Sequence, residues 1–466
     1  MDASMSYSLS KYYPHYTSLL RIGVPILIGQ LGMVVTGFLD TIMVGRYSTQ
    51  ALASASFVSN IFNLVNVASL GFAYGLTPLI ATAFGKGDCA AIGRWLRNGV
   101  ALNILFSIAA AAVMLCFYFS IEHLGQPEEL YPFIKPYFIT ILLSMIPMIY
   151  VNAIKQFTDG ITDTRVAMWI LLSGNALNVV GNWLLIYGHC GLPELGLTGA
   201  GISTLATRLL MAAAITLVVA RRRRYSQYVE AFHKAHISMT NMRHILSTSL
   251  PIAIQMGLET AAFTVSVIMV GWIGTQALAA SQVMLVIGSL GFMIYYGIAA
   301  ATSIKIANYN GAGNRQALRR CSFAGYHLTL ASAAVVCALF RLFCRPIIGF
   351  FTTDPAVVVI AVSLVWPLII YQFGDATQAA YSNAMRGIAA VKPVMRISAI
   401  AYVVIGLPVT YLFAFPLGWG VVGIFLSFSV PLMIAGGLFI HRFYTHPAVR
   451  KQSLKAATDD PSVRHN

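Results

Sequence analysis

From Ile42 to Ala53 the chain reads IMVGRYSTQALA, and from Ile268 to Ala279 it reads IMVGWIGTQALA, 226 residues later. At the same offset Pro25 falls on Pro251, and Gly71, Gly85, Gly87, Arg94 and Gly99 fall on Gly297, Gly311, Gly313, Arg320 and Gly325. Without a gap, 23 of the 75 positions from Pro25 to Gly99 match their partners. Shared apolar composition does not give runs of four and five identities, so the chain reads as an internal duplication.

The residues around the repeat set its medium. Of 466 residues, 58% are apolar and 10% charged, against about 25% charged in soluble domains. Twelve apolar segments follow one another at 19–45, 51–84, 99–120, 134–154, 166–187, 197–220, 245–271, 276–306, 322–343, 360–385, 397–415 and 420–440. Each is long enough to cross a hydrocarbon core of about 30 Å as a helix. No alternating pattern persists, which argues against a β-barrel. The expected fold is an all-α polytopic membrane protein: twelve transmembrane helices in two six-helix lobes. An even number of spans per lobe gives both the same orientation, with a pseudo-two-fold along the membrane normal. The expected division is a lobe at 1–220, a cytoplasmic linker at 221–244, a second lobe at 245–441 and a polar tail at 442–466.

The net charge of +15 is mainly a topology signal. With the N-terminus inside, the inner side collects Lys86, Arg94, Arg97, Lys155, Arg165, Arg221 to Arg224, Arg243, Arg315, Arg319, Arg320, Arg386, Lys392, Arg396 and the basic tail. The outer side keeps Arg46, Lys135, Arg341 and Arg345. Cationic loops stay cytoplasmic, so both termini are expected there. No base-reading or stacking arrangement accompanies the charge, and nucleic acid is not an expected partner. The start of the chain lacks a cleavable signal pattern. Six scattered cysteines show no metal or redox spacing and read as small apolar packers. HExxH, Gly-x-Ser-x-Gly and P-loop motifs are absent, so an enzyme is not expected and neither is a cofactor beyond a coupling ion.

Three of the fifteen acids lie inside apolar runs: Asp40, Glu259 and Asp375. A charge at bilayer depth costs at least about 2.5–3.5 kcal/mol on insertion scales, so such groups usually face a cavity and have a job. Glu259 is 14 positions from one end of its span and 12 from the other; Asp375 is 15 and 10. Both sit near mid-membrane in the second lobe. Tyr371 precedes Asp375 by four residues and shares its helix face, so two carboxyls and a phenol form a candidate proton or Na⁺ site. Asp40 is five residues from the outer end of span 1, and Asn182 is five from the outer end of span 5. Asn178 and Asn175 continue a stripe on that face, giving the first lobe its own candidate site; helix–helix hydrogen bonding is the plainer reading of the stripe. The repeat partners differ, Ser266 for Asp40 and Met33 for Glu259, so the acids are no relic of duplication. Pro25 and Pro251 are candidate gating kinks. Arg208, inside span 6, calls for a partner or a cavity.

Four stretches together resemble one family. They are Asp40-Thr41-Ile42-Met43-Val44-Gly45, the segment from Pro251 to Glu259, Gln372-Phe373-Gly374-Asp375, and Phe157-Thr158-Asp159-Gly160 followed by Thr164-Arg165. The sequence resembles the multidrug and toxic compound extrusion (MATE) transporters, in the bacterial NorM branch, from about Pro25 to span 12. The resemblance implies a V-shaped twelve-helix fold in the bacterial inner membrane, and export of small organic cations against inward Na⁺ or H⁺. Glu259, Asp375 and Tyr371 match its C-lobe cation site, and Asp40, Asn178 and Asn182 its N-lobe site. Met33, Phe38, Tyr74, Met256, Phe263, Met293, Tyr295 and Tyr381 are candidate cavity residues, offering π faces and adaptable apolar contact. A lobed monomer suffices for such a cycle. The alternative is a lipid-linked oligosaccharide flippase of the same broad architecture, which would need a cationic cavity for pyrophosphate.

Overall fold

A backbone surrounded by hydrocarbon must pair its N–H and C=O groups within the protein, and a helix does so within one segment. The computed structural model describes residues 11–123 and 127–450, and among them no strand occurs. The first ten residues and the tail beyond 450 lie outside the described residues. The first lobe contains α1 (Tyr13–Tyr47), α2 (Thr49–Tyr74), α3 (Leu76–Lys86), α4 (Cys89–Phe119), α5 (Tyr131–Gly160), α6 (Thr164–Tyr187) and α7 (Gly196–Arg221). A short helix, α8 (Ser226–Lys234), follows. The second lobe contains α9 (Met239–Ile273), α10 (Thr275–Gly311), α11 (Arg315–Leu342), α12 (Cys344–Phe351), α13 (Pro355–Ser363), α14 (Val365–Gly387) and α15 (Val391–Ser398). A π-helical stretch (Ala399–Gly406) then leads into α16 (Leu407–Ala414), α17 (Gly420–Ser427) and α18 (Ser429–Thr445).

Among the described residues, eleven helical spans are long and apolar enough to cross a membrane. The pair α13 and α14, bent by 44° at their junction, makes a twelfth. The count agrees with the sequence reading, and the protein is a multi-pass membrane protein. Duplication is visible in the turns as well. Gly87 (φ +72°) ends α3, and Asp88 caps α4 through a 2.8 Å bond from the Ala91 amide. In the second lobe Gly313 (φ +69°) precedes Asn314, which caps α11 through a 2.9 Å bond from the Ala317 amide. A left-handed glycine followed by a capping Asp or Asn is the local code for ending one helix and starting the next.

The connecting segment is pinned to α4. Arg97 donates to the carbonyls of Phe232 (3.2 Å) and His233 (3.0 Å). The Asn98 amide donates to the His236 carbonyl (3.1 Å), and its oxygen accepts from the Ser238 amide (2.8 Å). The linker is therefore a docked strap with one helix in it. Pro25 and Pro251, the expected kinks, are buried within helices that run unbroken past them. A break in the first lobe falls at Gly75, where the backbone is pressed against Ser249; α10 has no break at the equivalent Ala301.

The lobes meet at one end, where Lys86, Arg94, Arg97, Arg165, Arg315 and Arg320 lie; we refer to it as the basic end. Leu19, Ile22, Ile26 and Ala81 of the first lobe pack there with Ala301, Ile304, Ala307, Cys321 and Ala324 of the second. Small residues allow the approach. A Cβ on Gly23 would stand 3.1 Å from the Gly297 carbonyl, and one on Gly71 would stand 2.8 Å from the Ala253 Cα. Further along α1 and α9, a Cβ on Gly37 or Gly257 would meet nothing within 4 Å. Close approach of the lobes is thus confined to the part of these helices near the basic end, and α1 and α9 are uncrowded at Gly37 and Gly257. Gly71→Leu should wedge the lobes apart at a cost of about 1–3 kcal/mol of overpacking. Labelling of a cysteine placed at Ser249, now fully buried, should rise; unchanged labelling would show that this contact does not hold the end closed.

Candidate functional site

In the first lobe, Asp40 sits near the end of α1 that is remote from the basic end. The Asn182 side-chain amide donates to Asp40 Oδ1 at 2.6 Å. Asn178, one turn earlier on α6, turns the other way. Its amide reaches Thr204 Oγ1 (3.3 Å) on α7, and its backbone carbonyl accepts from Ser203 Oγ (3.0 Å). The asparagine stripe therefore divides, with one member on the acid and one on helix packing. Among the described residues, the Asn175 amide nitrogen is buried without a partner. Arg208 has its partner in Ser144 Oγ at 2.7 Å, with Asp40 and the Tyr137 phenol in electrostatic reach. This cation, unexplained from the sequence, balances the first-lobe acid.

In the second lobe, Glu259 of α9 accepts two amide bonds at Oε1, from Gln255 Nε2 (3.1 Å) and from Gln378 Nε2 of α14 (2.6 Å). Gln255 is oriented in turn, because its Oε1 accepts from Arg386 at 2.9 Å. The Tyr402 phenol, carried by the π-helical stretch, stands beside Glu259. Asp375 Oδ2 lies 2.5 Å from the Tyr295 hydroxyl of α10, and that hydroxyl is also 2.6 Å from Gln372 Oε1. Gln372 is fixed, since its Nε2 donates to the Gly288 carbonyl at 2.9 Å. A phenol carries one proton. With only acceptors at Gln372 Oε1 and an ionised Asp375, one of the two close contacts would lack a hydrogen.

Tyr371 shares the Asp375 neighbourhood, but its ring packs edge-on against Phe428 at 6.0 Å, and among the described residues its hydroxyl makes no hydrogen bond. The phenol in direct contact with the acid is Tyr295, which the sequence marked as a cavity aromatic. Tyr295 is fully buried in the second lobe. Tyr381 is buried too, among Tyr326, Phe443 and Tyr444. Neither is offered to a cleft between the lobes, because each ring completes the packing of its own lobe. Phe263 packs on Phe428 at 4.9 Å. Met33 and Phe38 are exposed along α1. Tyr74 lines a cavity between the lobes, Met256 lies against Gly71 at the lobe contact, and Met293 is half-buried on α10.

That inter-lobe cavity holds groups the sequence reading left aside. Lys155 and Asp159 of α5 face it from the first lobe, and Asn383 and Arg386 of α14 from the second. Lys155 and Asp159 form a 2.6 Å ion pair with little exposure to solvent. Asp159 Oδ1, Gln156 Nε2 and Arg386 Nε are buried there without protein partners. The i, i+4 spacing of Lys155 and Asp159 is the signal the sequence offers for them. A double-mutant cycle tests the division of the stripe. Asp40→Asn with Asn182→Leu should show a coupling of about 1–3 kcal/mol in thermal unfolding. Asp40→Asn with Asn178→Leu should be nearly additive, and equal coupling for both pairs would contradict the geometry.

A sequence model of the MatE family matches this chain twice, over residues 25–184 and 251–412. The two matches start 226 residues apart, the offset of the internal repeat. The chain is 29% identical over 453 residues to the probable multidrug resistance protein NorM of Rhizobium meliloti (strain 1021), covering 95% of this chain and 96% of the relative. It is 28% identical over 444 residues to the multidrug resistance protein NorM of Vibrio cholerae serotype O1, covering 94% and 96%. Among solved structures, the eukaryotic MATE transporter AtDTX14 superposes with a TM-score of 0.83 at 20% identity, covering 94% of this chain and 97% of that one. An outward-facing multidrug resistance MATE family transporter of the MOP superfamily superposes with a TM-score of 0.84 at 18% identity, covering 92% and 96%.

Proposed function

The chain belongs to the MatE family, a family of transporters rather than enzymes, and on that premise we propose that it is a multidrug efflux antiporter that exchanges organic cations for inward-moving protons. In this reading it resides in the bacterial inner membrane with the basic end and both termini in the cytoplasm, and works as a monomer.

The observation that carries the proton assignment is the proton count at Tyr295, Gln372 and Asp375, which balances when Asp375 is protonated. A second feature agrees with it. Both amides at Glu259 present N–H groups, and Arg386 fixes one of them in that orientation. Hard cations take oxygen ligands, and these N–H groups offer a Na⁺ at Glu259 none. Sodium remains the competing ion at the Asp40 site, where one carboxylate and the buried, unpartnered Asn182 Oδ1 offer oxygens.

The cycle follows from competition. In the outward-open form a proton enters from outside and neutralises the carboxyls, and attraction for the cationic substrate falls. The substrate leaves, the lobes rock, and the proton is released inside. A ligand shifts the two states only through its differential affinity for them, and shared carboxyls provide that difference. Neutralising Glu259 also slackens its amide bonds. The Gln255–Arg386 bond carries the change to the cavity between the lobes, next to Asp159. The flippase alternative is less well supported at the cavity between the lobes, where Lys155 is paired with Asp159 and Arg386 is the one cation left without a carboxylate among the described residues.

The test is ethidium efflux from proteoliposomes with a pH gradient or a Na⁺ gradient imposed separately. The pH gradient should drive transport by the wild type, and Na⁺ alone should not. Glu259→Gln and Asp375→Asn should bring pH-driven efflux close to background, and Asp40→Asn should reduce it. Tyr295→Phe should shift the pH dependence while leaving substrate binding near normal. Full activity in all three acid variants rejects the scheme, and efflux driven by Na⁺ alone rejects the proton assignment.

A further inference from the structure

At the basic end lies a concave polar pocket that the transport cycle does not use. Four cations line it from four separate segments: Arg21 on α1, Arg165 at the start of α6, Arg224 in the connecting segment, and Lys305 on α10 of the other lobe. One acid, Asp163, accompanies them. It is already engaged, accepting a 2.8 Å bond from the Tyr225 phenol and lying 3.3 Å from Arg224. Burial, reinforced by this carboxylate, pushes the Tyr225 phenol well above its ordinary range, so Tyr225 stays a donor and Asp163 stays occupied. Among the described residues Arg21, Arg165 and Lys305 form no ion pair.

The helix geometry adds to the charge. The 24-residue α6 starts inside this pocket at Thr164, and no side chain caps it, because the residue in the capping position is Asp163. The Thr164 hydroxyl is spent as well, donating to the Ile22 carbonyl of α1 at 3.1 Å. The first-turn amides and the positive end of the helix dipole are thus left facing the same concavity as the cations, which is the arrangement that receives an oxyanion. The positive-inside rule explains why cations are numerous at this end. It does not explain why the one nearby acid is turned from the helix cap, or why the second lobe sends Lys305 into the first lobe's pocket.

We propose that this pocket binds a phosphate group, and that by joining Lys305 to Arg21 and Arg165 the bound group braces the lobes in the arrangement seen here. Guanidinium groups suit phosphate oxygens bidentately. The phosphate can be the headgroup of an anionic phospholipid or a free phosphate, two sources that share this chemistry.

The test uses the full-length protein in nanodiscs of phosphatidylcholine alone, of phosphatidylcholine with phosphatidylglycerol, and of phosphatidylcholine with added inorganic phosphate. Two quantities are read, the thermal midpoint and the rate of Lys305 acylation by a small amine-reactive ester. In the wild type, at least one anionic arm should raise the midpoint and slow Lys305 acylation severalfold. A response to phosphatidylglycerol alone assigns a lipid, and a response to phosphate alone a soluble ligand. Arg21→Gln and Arg165→Gln should each weaken the response by about tenfold in the concentration required, as expected for losing one charge-assisted contact. Arg315→Gln, a cation at the same end but outside the pocket, should leave it intact. No protection of wild-type Lys305 in either arm overturns the proposal without recourse to any variant. Equal loss in Arg315→Gln also overturns it, since the effect would then be general surface attraction.

Discussion

A carboxylate taken to mid-bilayer depth has lost its water and must find replacements in the protein. The architecture of the second lobe is organised around that requirement. Glu259 draws amides from its own helix and from α14, and Arg386 orients one of them. Asp375 draws a phenol from α10, oriented in turn by Gln372 and the Gly288 carbonyl. Three helices are tied together by groups that exist to keep two acids tolerable. Whatever changes the charge of either acid changes how those helices are held, and this makes a local protonation capable of a global effect.

The first lobe solves the same problem differently. Its acid lies nearer the membrane surface, takes one strong amide bond from Asn182, and has a buried arginine within electrostatic reach. The duplication copied the frame, including the Gly-Asp and Gly-Asn turns, but not the polar interior. The two lobes therefore surround their acids with different partners, and in the proposed cycle the two acids can respond at different stages.

Much of the fold was legible in the sequence because it is written in long-range composition. Twelve apolar runs, an offset of 226 residues and a lopsided distribution of Lys and Arg require no knowledge of packing. The three submerged acids were legible for the same reason. Their partners were not, because partner choice depends on helix rotation and on which helix lies opposite. Asn178 and Asn182 share a stripe, yet only one meets Asp40. Tyr371 has the right spacing to Asp375, but Tyr295, 80 residues away in sequence, makes the bond. Lys155, Asp159 and Arg386 sit at span edges in a linear reading and become the lining of a cavity only when two lobes close on each other. The bend between α13 and α14 has a local signal in Pro367, which cannot donate to the Ser363 carbonyl four residues before it.

The π-helical stretch from Ala399 to Gly406 sets the phase of the eleventh span. Tyr402 is buried beside Glu259, and Thr410 is buried against Ser427 at 2.8 Å. In a regular helix, eight residues would leave these two side chains roughly 80° apart around the axis. The wider turns between them absorb that discrepancy, so that both point into the protein. Wound as an ordinary helix of the same length, the rod could present its phenol to the acid or its hydroxyl to the neighbouring rod, but not both; removing one residue would bring the two back to within roughly 20° of each other.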